Sequence, residues 1–189
     1  SLRCNTGSSN TAVGRNALEN NTSASNNTAL GMSALVTNTT GTNNVAIGCG
    51  VLLDATTAEN NTAVGLGAAA NTTTGGCNTV VGMGALNINT TGYLNVAIGC
   101  GALNANTTGA CGVSVGALAL DANTTGACNT AVGYGSLSNN TTAKDNTAVG
   151  FYSLLTNTTG VQNVAVGTQA LGNNTTGGNN TGIGRCALK

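Results

Sequence analysis

Histidine, tryptophan and proline are missing from this 189-residue chain, and aromatic residues make up 2% of it. A globular domain of this length normally buries several large rings, because they supply much of a core's apolar area. This core must be built from Val, Ile, Leu, Ala and Thr, which suits a thin coil with room for few side chains. Charge is as scarce: 5% of residues carry one, and the formal net charge is zero. Without a basic stripe, nucleic acid is not an expected partner, whereas near-zero net charge favours self-association. No run of 18 apolar residues occurs, so no membrane insertion is expected. With no His, acid–base chemistry would fall on Glu19, Asp54, Glu59, Asp121 or Asp145, which are scattered and unpaired in the sequence. There is no Cys-x-x-Cys and no Gly-Lys-Ser/Thr phosphate loop. No enzyme, metal or cofactor is expected. The sequence opens at Ser1 with neither an initiator Met nor a signal peptide, so a processed form or an excerpt of something longer is expected.

What is present is a frame of glycines. Gly14, Gly31, Gly48, Gly65, Gly82, Gly99, Gly116, Gly133, Gly150, Gly167 and Gly184 lie 17 residues apart without a slip. Around each runs one pattern: Asn, Thr or Val, Ala, Val or Ile, Gly, two variable residues, Ala-Leu, two more, then Asn-Thr-Thr-Gly and a spacer. A short fixed period without insertions is the signature of a solenoid. Low-complexity disorder is the rival reading for so much Asn, Thr and Gly, but it would not hold a β-branched residue at one phase throughout. The expectation is an all-β fold: a single parallel β-solenoid domain over 1–189, of eleven 17-residue coils.

Positions are numbered from the framing glycine as zero. Position −1 is Val, Ile or Leu, position −3 is Thr or Val, and position −2 between them is usually Ala. Such alternation reads as a strand with one buried face. Positions −1 and −3 are assigned to the coil interior, with Leu at +4 on a second short strand opposite. The Ala column (Ala12, Ala29, Ala46, Ala63, Ala97, Ala131, Ala148 and Ala165) then faces outward as a smooth apolar stripe. A stripe of that kind marks a contact surface, and it is assigned as the oligomer face. Helix is excluded locally, since Asn-Thr-Thr-Gly recurs before three turns can form and Thr, Asn and Gly are poor helix formers.

Position −4 is Asn in most repeats (Asn27, Asn44, Asn61 and so on), with Gly112 an exception. Stacked at coil spacing, each amide can donate to one neighbour and accept from the next, forming a ladder; Asn also tolerates a left-handed corner. The framing glycine marks a positive φ or a close backbone approach. Position +7 supplies Asn21, Asn38, Asn89, Asn106, Asn123, Asn140, Asn157 and Asn174, each opening an Asn-x-Ser/Thr triplet. Further triplets begin at Asn20, Asn26, Asn60, Asn71, Asn139, Asn173 and Asn179. Two readings stand. In a eukaryotic secretory source the +7 column carries covalent glycans on a loop edge; in a bacterium or phage these residues cap turns. Among the seven cysteines, Cys111 and Cys128 are one coil apart, within disulfide range. Cys4 and Cys186 lie near opposite ends, where a head-to-tail neighbour could pair them. So many cysteines suggest an oxidising compartment, or some are simply small buried residues.

The Asn-Val-Ala-Ile-Gly strings at 44–48 and 95–99 resemble the head repeats of trimeric autotransporter adhesins. The Asn-Thr-Ala-Val-Gly…Ala-Leu…Asn-Thr-Thr-Gly arrays are also similar to those of surface and tail-fibre-like proteins. The resemblance covers essentially the whole chain. It implies a parallel β-roll, chains side by side, and a role in surface attachment; the adhesin repeat is shorter than this one, so the coil here is larger. Together with the rod shape, these features lead to an expected structural subunit of an extracellular filament, on a cell or virion surface. It would stack end to end with other copies and carry glycans on one edge. An adhesin or receptor-binding segment is the alternative. Ice binding through stacked Thr pairs (Thr39-Thr40, Thr90-Thr91, Thr107-Thr108) is a third, in conflict with glycans on the same edge.

Overall fold

A computed structural model of the chain describes residues 5–189. Each repeat contributes one three-residue strand, from β1 (Thr11–Val13) to β11 (Thr181–Ile183), and the strands stack in sequence order into one eleven-stranded sheet. Every pairing is parallel and advances by one repeat, as in Thr11↔Thr28 and Val96↔Val113. The chain is a parallel β-solenoid, and no helix occurs among the described residues.

The β-branched residues at −3 and −1 favour the pleated conformation, and the framing glycine ends it. Gly99 has φ 135°, and a Cβ there would lie 2.6 Å from the backbone C and O of Gly116. Both a forbidden dihedral and the next coil's backbone exclude a side chain, so the column admits glycine only.

The inside and outside of the strand are the reverse of the sequence expectation. Ala29, Ala46, Ala63, Ala97, Ala131, Ala148 and Ala165 are fully buried, and Ala12 packs partly buried against the same core. The Ala column is therefore the coil interior, not an oligomer face. Positions −1 and −3 point outward: Val13 is 56% exposed and Ile183 70%. The reason is volume. Opposite the strand stands the buried Leu column, and a Cβ at Gly182, in position −2, would touch Leu171 Cγ at 3.0 Å. An Ala methyl fits against that leucine where Val or Ile would overpack a close-packed interior. One coil carries the complementary exchange. Ala69 replaces the usual Leu at +4, and the same coil carries Val80 instead of Ala at −2; both are buried.

The +4 leucines do not form a second strand either. They sit in a turn with left-handed backbone: Leu103 has φ 54° and Leu120 φ 52°. That conformation costs about 1–2 kcal/mol for a residue with a Cβ, and full burial of a leucine returns about 1.5–3 kcal/mol. Burial therefore wins by a small margin where the leucine is enclosed, while Ala69 and the exposed Leu188 hold the same conformation without that gain. Coil-to-coil hydrogen bonds continue through the turn, as in Leu103 N to Ala119 O at 2.9 Å, so the backbone stays paired where no strand is formed.

Candidate functional site

With no large ring to bury, the interior is closed by amides. Two Asn columns run along the coil. At −4, Asn44 donates its backbone N–H to Asn27 Oδ1 at 2.9 Å, and its Nδ2 to the same oxygen at 3.2 Å and to Ala58 O at 2.8 Å. This is the expected ladder, with one change: the left-handed corner belongs to the preceding residue, as at Asn43 (φ 60°) and Asn60 (φ 59°). At +7, Asn106 Nδ2 donates to Asn89 Oδ1 at 2.9 Å and to Gly109 O at 3.0 Å.

That second ladder corrects the glycan assignment. Asn21, Asn38, Asn89, Asn106, Asn123, Asn140 and Asn157 are buried, and Asn174 is half-buried. Each amide nitrogen that would carry a sugar is instead donated to the carbonyl three residues on. A sugar on any of the seven buried nitrogens would open the coil. The triplets whose Asn is exposed are the others: Asn20, Asn26, Asn60, Asn139, Asn173 and Asn179, with Asn71 half-exposed.

The Thr pairs that follow divide their roles. The first hydroxyl donates to the next coil, as Thr90 Oγ1 to Thr107 O at 3.0 Å. The second column, including Thr40, Thr91 and Thr108, is exposed. With the +7 amides inside, only triplets such as those at Asn20, Asn139 and Asn173 would place glycans beside a Thr face. What limits such a face is that the first hydroxyl of each pair is already committed.

Exposed apolar side chains gather on the outer face of the sheet. Its columns at −3 and −1 are Thr, Val, Ile and Leu throughout. Beside them, column +1 adds Met32, Leu66 (57% exposed), Met83, Tyr134 and Phe151 (47%). The only charged residues in these three columns are Arg15 and Arg185, in the first and last repeats. Three rings gather at its edge. Tyr134 stacks on Phe151 with centroids 5.7 Å apart, and Tyr152 lies 4.2 Å from Phe151. Gly135 makes room for this, since a Cβ there would strike the Tyr152 ring at 2.4 Å. The Tyr134 hydroxyl beside Tyr152 is the main cause that raises the Tyr152 phenol above its ordinary pKa. Sequence reasoning missed this face by one residue of register. The signal was available: an interior column must hold its volume constant, so near-invariant Ala marks the inside and interchangeable Val, Ile and Leu the outside.

Cys111 and Cys128 are exposed and unbonded, at equivalent positions of adjacent coils. The Cys128 thiol is pushed above its ordinary pKa by desolvation first, then by Cys111 and Asp145. Cys186 is half-buried, its Sγ 3.7 Å from Gln169 Oε1. Cys4 lies outside the described residues. The carboxylates stay dispersed: Asp121 accepts from Ser138 Oγ at 2.6 Å, and no cluster of three metal-ligating residues occurs among the described residues. No helix among the described residues is long and apolar enough to cross a membrane. Comparison of the chain with protein-family models, with curated proteins and with solved structures gave no match.

Proposed function

We propose that the chain is a structural, self-associating rod, the building unit of an extracellular fibre, and that copies pack through the outer sheet face. The observation that carries this is a face rich in exposed Val, Ile, Leu and Met, whose −3, −1 and +1 columns are free of charge from the second repeat to the tenth. Its size is adequate. Eleven strands at about 4.8 Å and five positions at about 3.3 Å give roughly 50 by 16 Å. Two such faces pressed together bury about 1,600 Å², the size of a standard stable interface. The occupant that fits is a second copy, because a flat uncharged sheet is complementary to itself and sheets stack face to face at about 10 Å. Any covalent glycans belong on the exposed Asn triplets.

Sedimentation velocity across a concentration series tests the reading. The full chain should sediment as a dimer or larger, and Ile98→Lys/Val132→Lys should sediment as a folded monomer with the same circular dichroism. A wild-type chain that stays monomeric at every concentration counts against self-association. The ring cluster at Tyr134, Phe151 and Tyr152 supports a second reading, attachment to a surface as a discrete particle, and a monomer that adheres through Phe151 would favour it.

A further inference from the structure

The −4 ladder is broken at one place. From Asn27 onward each residue in the column gives its backbone N–H to the Asn side chain one coil before it, through Gly112 N to Asn95 Oδ1 at 2.8 Å. Gly112 has no side chain, so the next rung, to the Asn129 amide, cannot form; the ladder resumes with Asn146 N to Asn129 Oδ1 at 3.0 Å. A Cβ at Gly112 would sit tightly against Asn95 Oδ1, at 3.1 Å, and in ordinary contact with Leu103 Cδ2 at 3.8 Å, so a side chain there needs Asn95 to shift by a few tenths of an ångström. The residues immediately before Gly112 and Asn129 are Cys111 and Cys128. Of all adjacent coils, only the pair that loses its rung carries cysteines at equivalent positions in both.

We infer that Cys111 and Cys128 form a redox-controlled disulfide that ties together the two coils that lack the −4 amide rung and keep only the +7 one. The Cα separation permits it, with a small approach of the two Cβ atoms from the coil rise to about 3.5–4.5 Å, the range a disulfide takes. Both residues share one backbone conformation, φ 58° and 57°. Each N–H is bonded to the coil before, Cys111 N to Tyr93 O at 3.1 Å and Cys128 N to Ala110 O at 3.0 Å. A coil rise of about 4.8 Å falls within the Cα separation of about 4.4–6.8 Å that a disulfide spans. Both thiols are exposed and reachable by an oxidant. The reaction is thiol–disulfide exchange with a small-molecule disulfide. One cysteine thiolate attacks it, releasing one small thiol and leaving a mixed disulfide. The second cysteine then displaces the other small thiol, so the two cysteines are oxidised by two electrons and the reagent is reduced to two thiols. The tie spans a loop of one coil and lowers the entropy of the opened chain. This goes beyond the fibre reading and does not depend on it.

The test is peptide mapping of the full chain under non-reducing conditions after equilibration with glutathione and glutathione disulfide. It is paired with melting curves and hydrogen exchange, oxidised and reduced. A peptide linking Cys111 to Cys128 is expected within one chain, with Cys49, Cys77 and Cys100 still open to alkylation. Reduction should lower the melting midpoint by about 5–10 °C and speed exchange of amides in 110–130 at least tenfold over those in 40–60. Cys111→Ser/Cys128→Ser should melt at the reduced midpoint in either buffer. Gly112→Asn, which restores the amide rung, should raise the midpoint of the reduced protein. Two free thiols at equilibrium, or a bond only between chains, would overturn the inference. An intrachain bond whose reduction leaves exchange in 110–130 unchanged would overturn the role given to it.

Discussion

Replacing Asn106 with Ala separates a structural amide from a surface attachment point. Asn106 is fully buried and makes three ladder bonds: Nδ2 to Asn89 Oδ1 at 2.9 Å, Nδ2 to Gly109 O at 3.0 Å, and Oδ1 from Asn123 Nδ2 at 3.0 Å. The partners are not equally harmed. Gly109 O keeps Asn95 Nδ2 at 2.9 Å, and Asn123 Nδ2 keeps Gly126 O at 3.0 Å. Asn89 Oδ1 loses its donor and is left buried. Net hydrogen bonds are worth about 1 kcal/mol each, and a stranded buried acceptor costs about 1–3 kcal/mol. The expected loss is about 3–5 kcal/mol, concentrated on the two flanking coils. A solenoid opens locally, so hydrogen exchange followed by mass spectrometry is the suitable assay. A 3 kcal/mol loss should speed exchange in 85–125 by about a hundredfold, while the exposed neighbour Thr108→Ala changes little. If Asn106→Ala leaves exchange within threefold of the wild type, the ladder does not hold the coil and the case for an interior amide column fails.

Three further outcomes follow from the same geometry. Asn38 Oδ1 is buried with no partner, because Ala55 stands where the next ladder Asn would be; Ala55→Asn should raise stability by about 1–2 kcal/mol in chemical denaturation. Val80→Ala should cost about 2 kcal/mol by leaving a cavity, and Ala69→Leu about 1–3 kcal/mol by overpacking. The double variant should recover most of both losses, and additive penalties would contradict the facing of −2 and +4. In the reduced protein, alkylation of Cys128 measured against pH should reach half its maximal rate above the ordinary cysteine range. Asp145→Asn should move that point down, because the Asp145 carboxylate disfavours the thiolate.

The period, the strand position, the parallel stacking and the glycine-only column were all legible in the sequence, because each is imposed by backbone geometry repeated in phase. The direction of the strand face was not read correctly. Alternation fixes that one set of side chains is inside, not which set. Hydrophobicity pointed to Val and Ile, whereas the coil's narrow interior selects Ala beside Leu. The swapped pair Ala69 and Val80 encoded the answer. The left-handed leucines were hidden for another reason: no propensity rule places Leu18 or Leu154 at φ near 50°, yet the turn recurs in phase, even at Ala69 (φ 52°) and at the exposed Leu188 (φ 50°). The Asn-Thr-Thr motif read as a surface loop because Asn and Thr are polar. In a solenoid, stacking supplies each buried amide with partners, so polarity is not evidence of exposure.

Cryo-electron microscopy of the assembled protein tests the self-association of this rod most directly. The account predicts rods paired through the outer sheet, with Ile98, Val132 and Phe151 in density against another copy and the Thr108 column in solvent. Discrete single rods with the Val and Ile face bare, or assemblies joined only through the Thr edge, would contradict it.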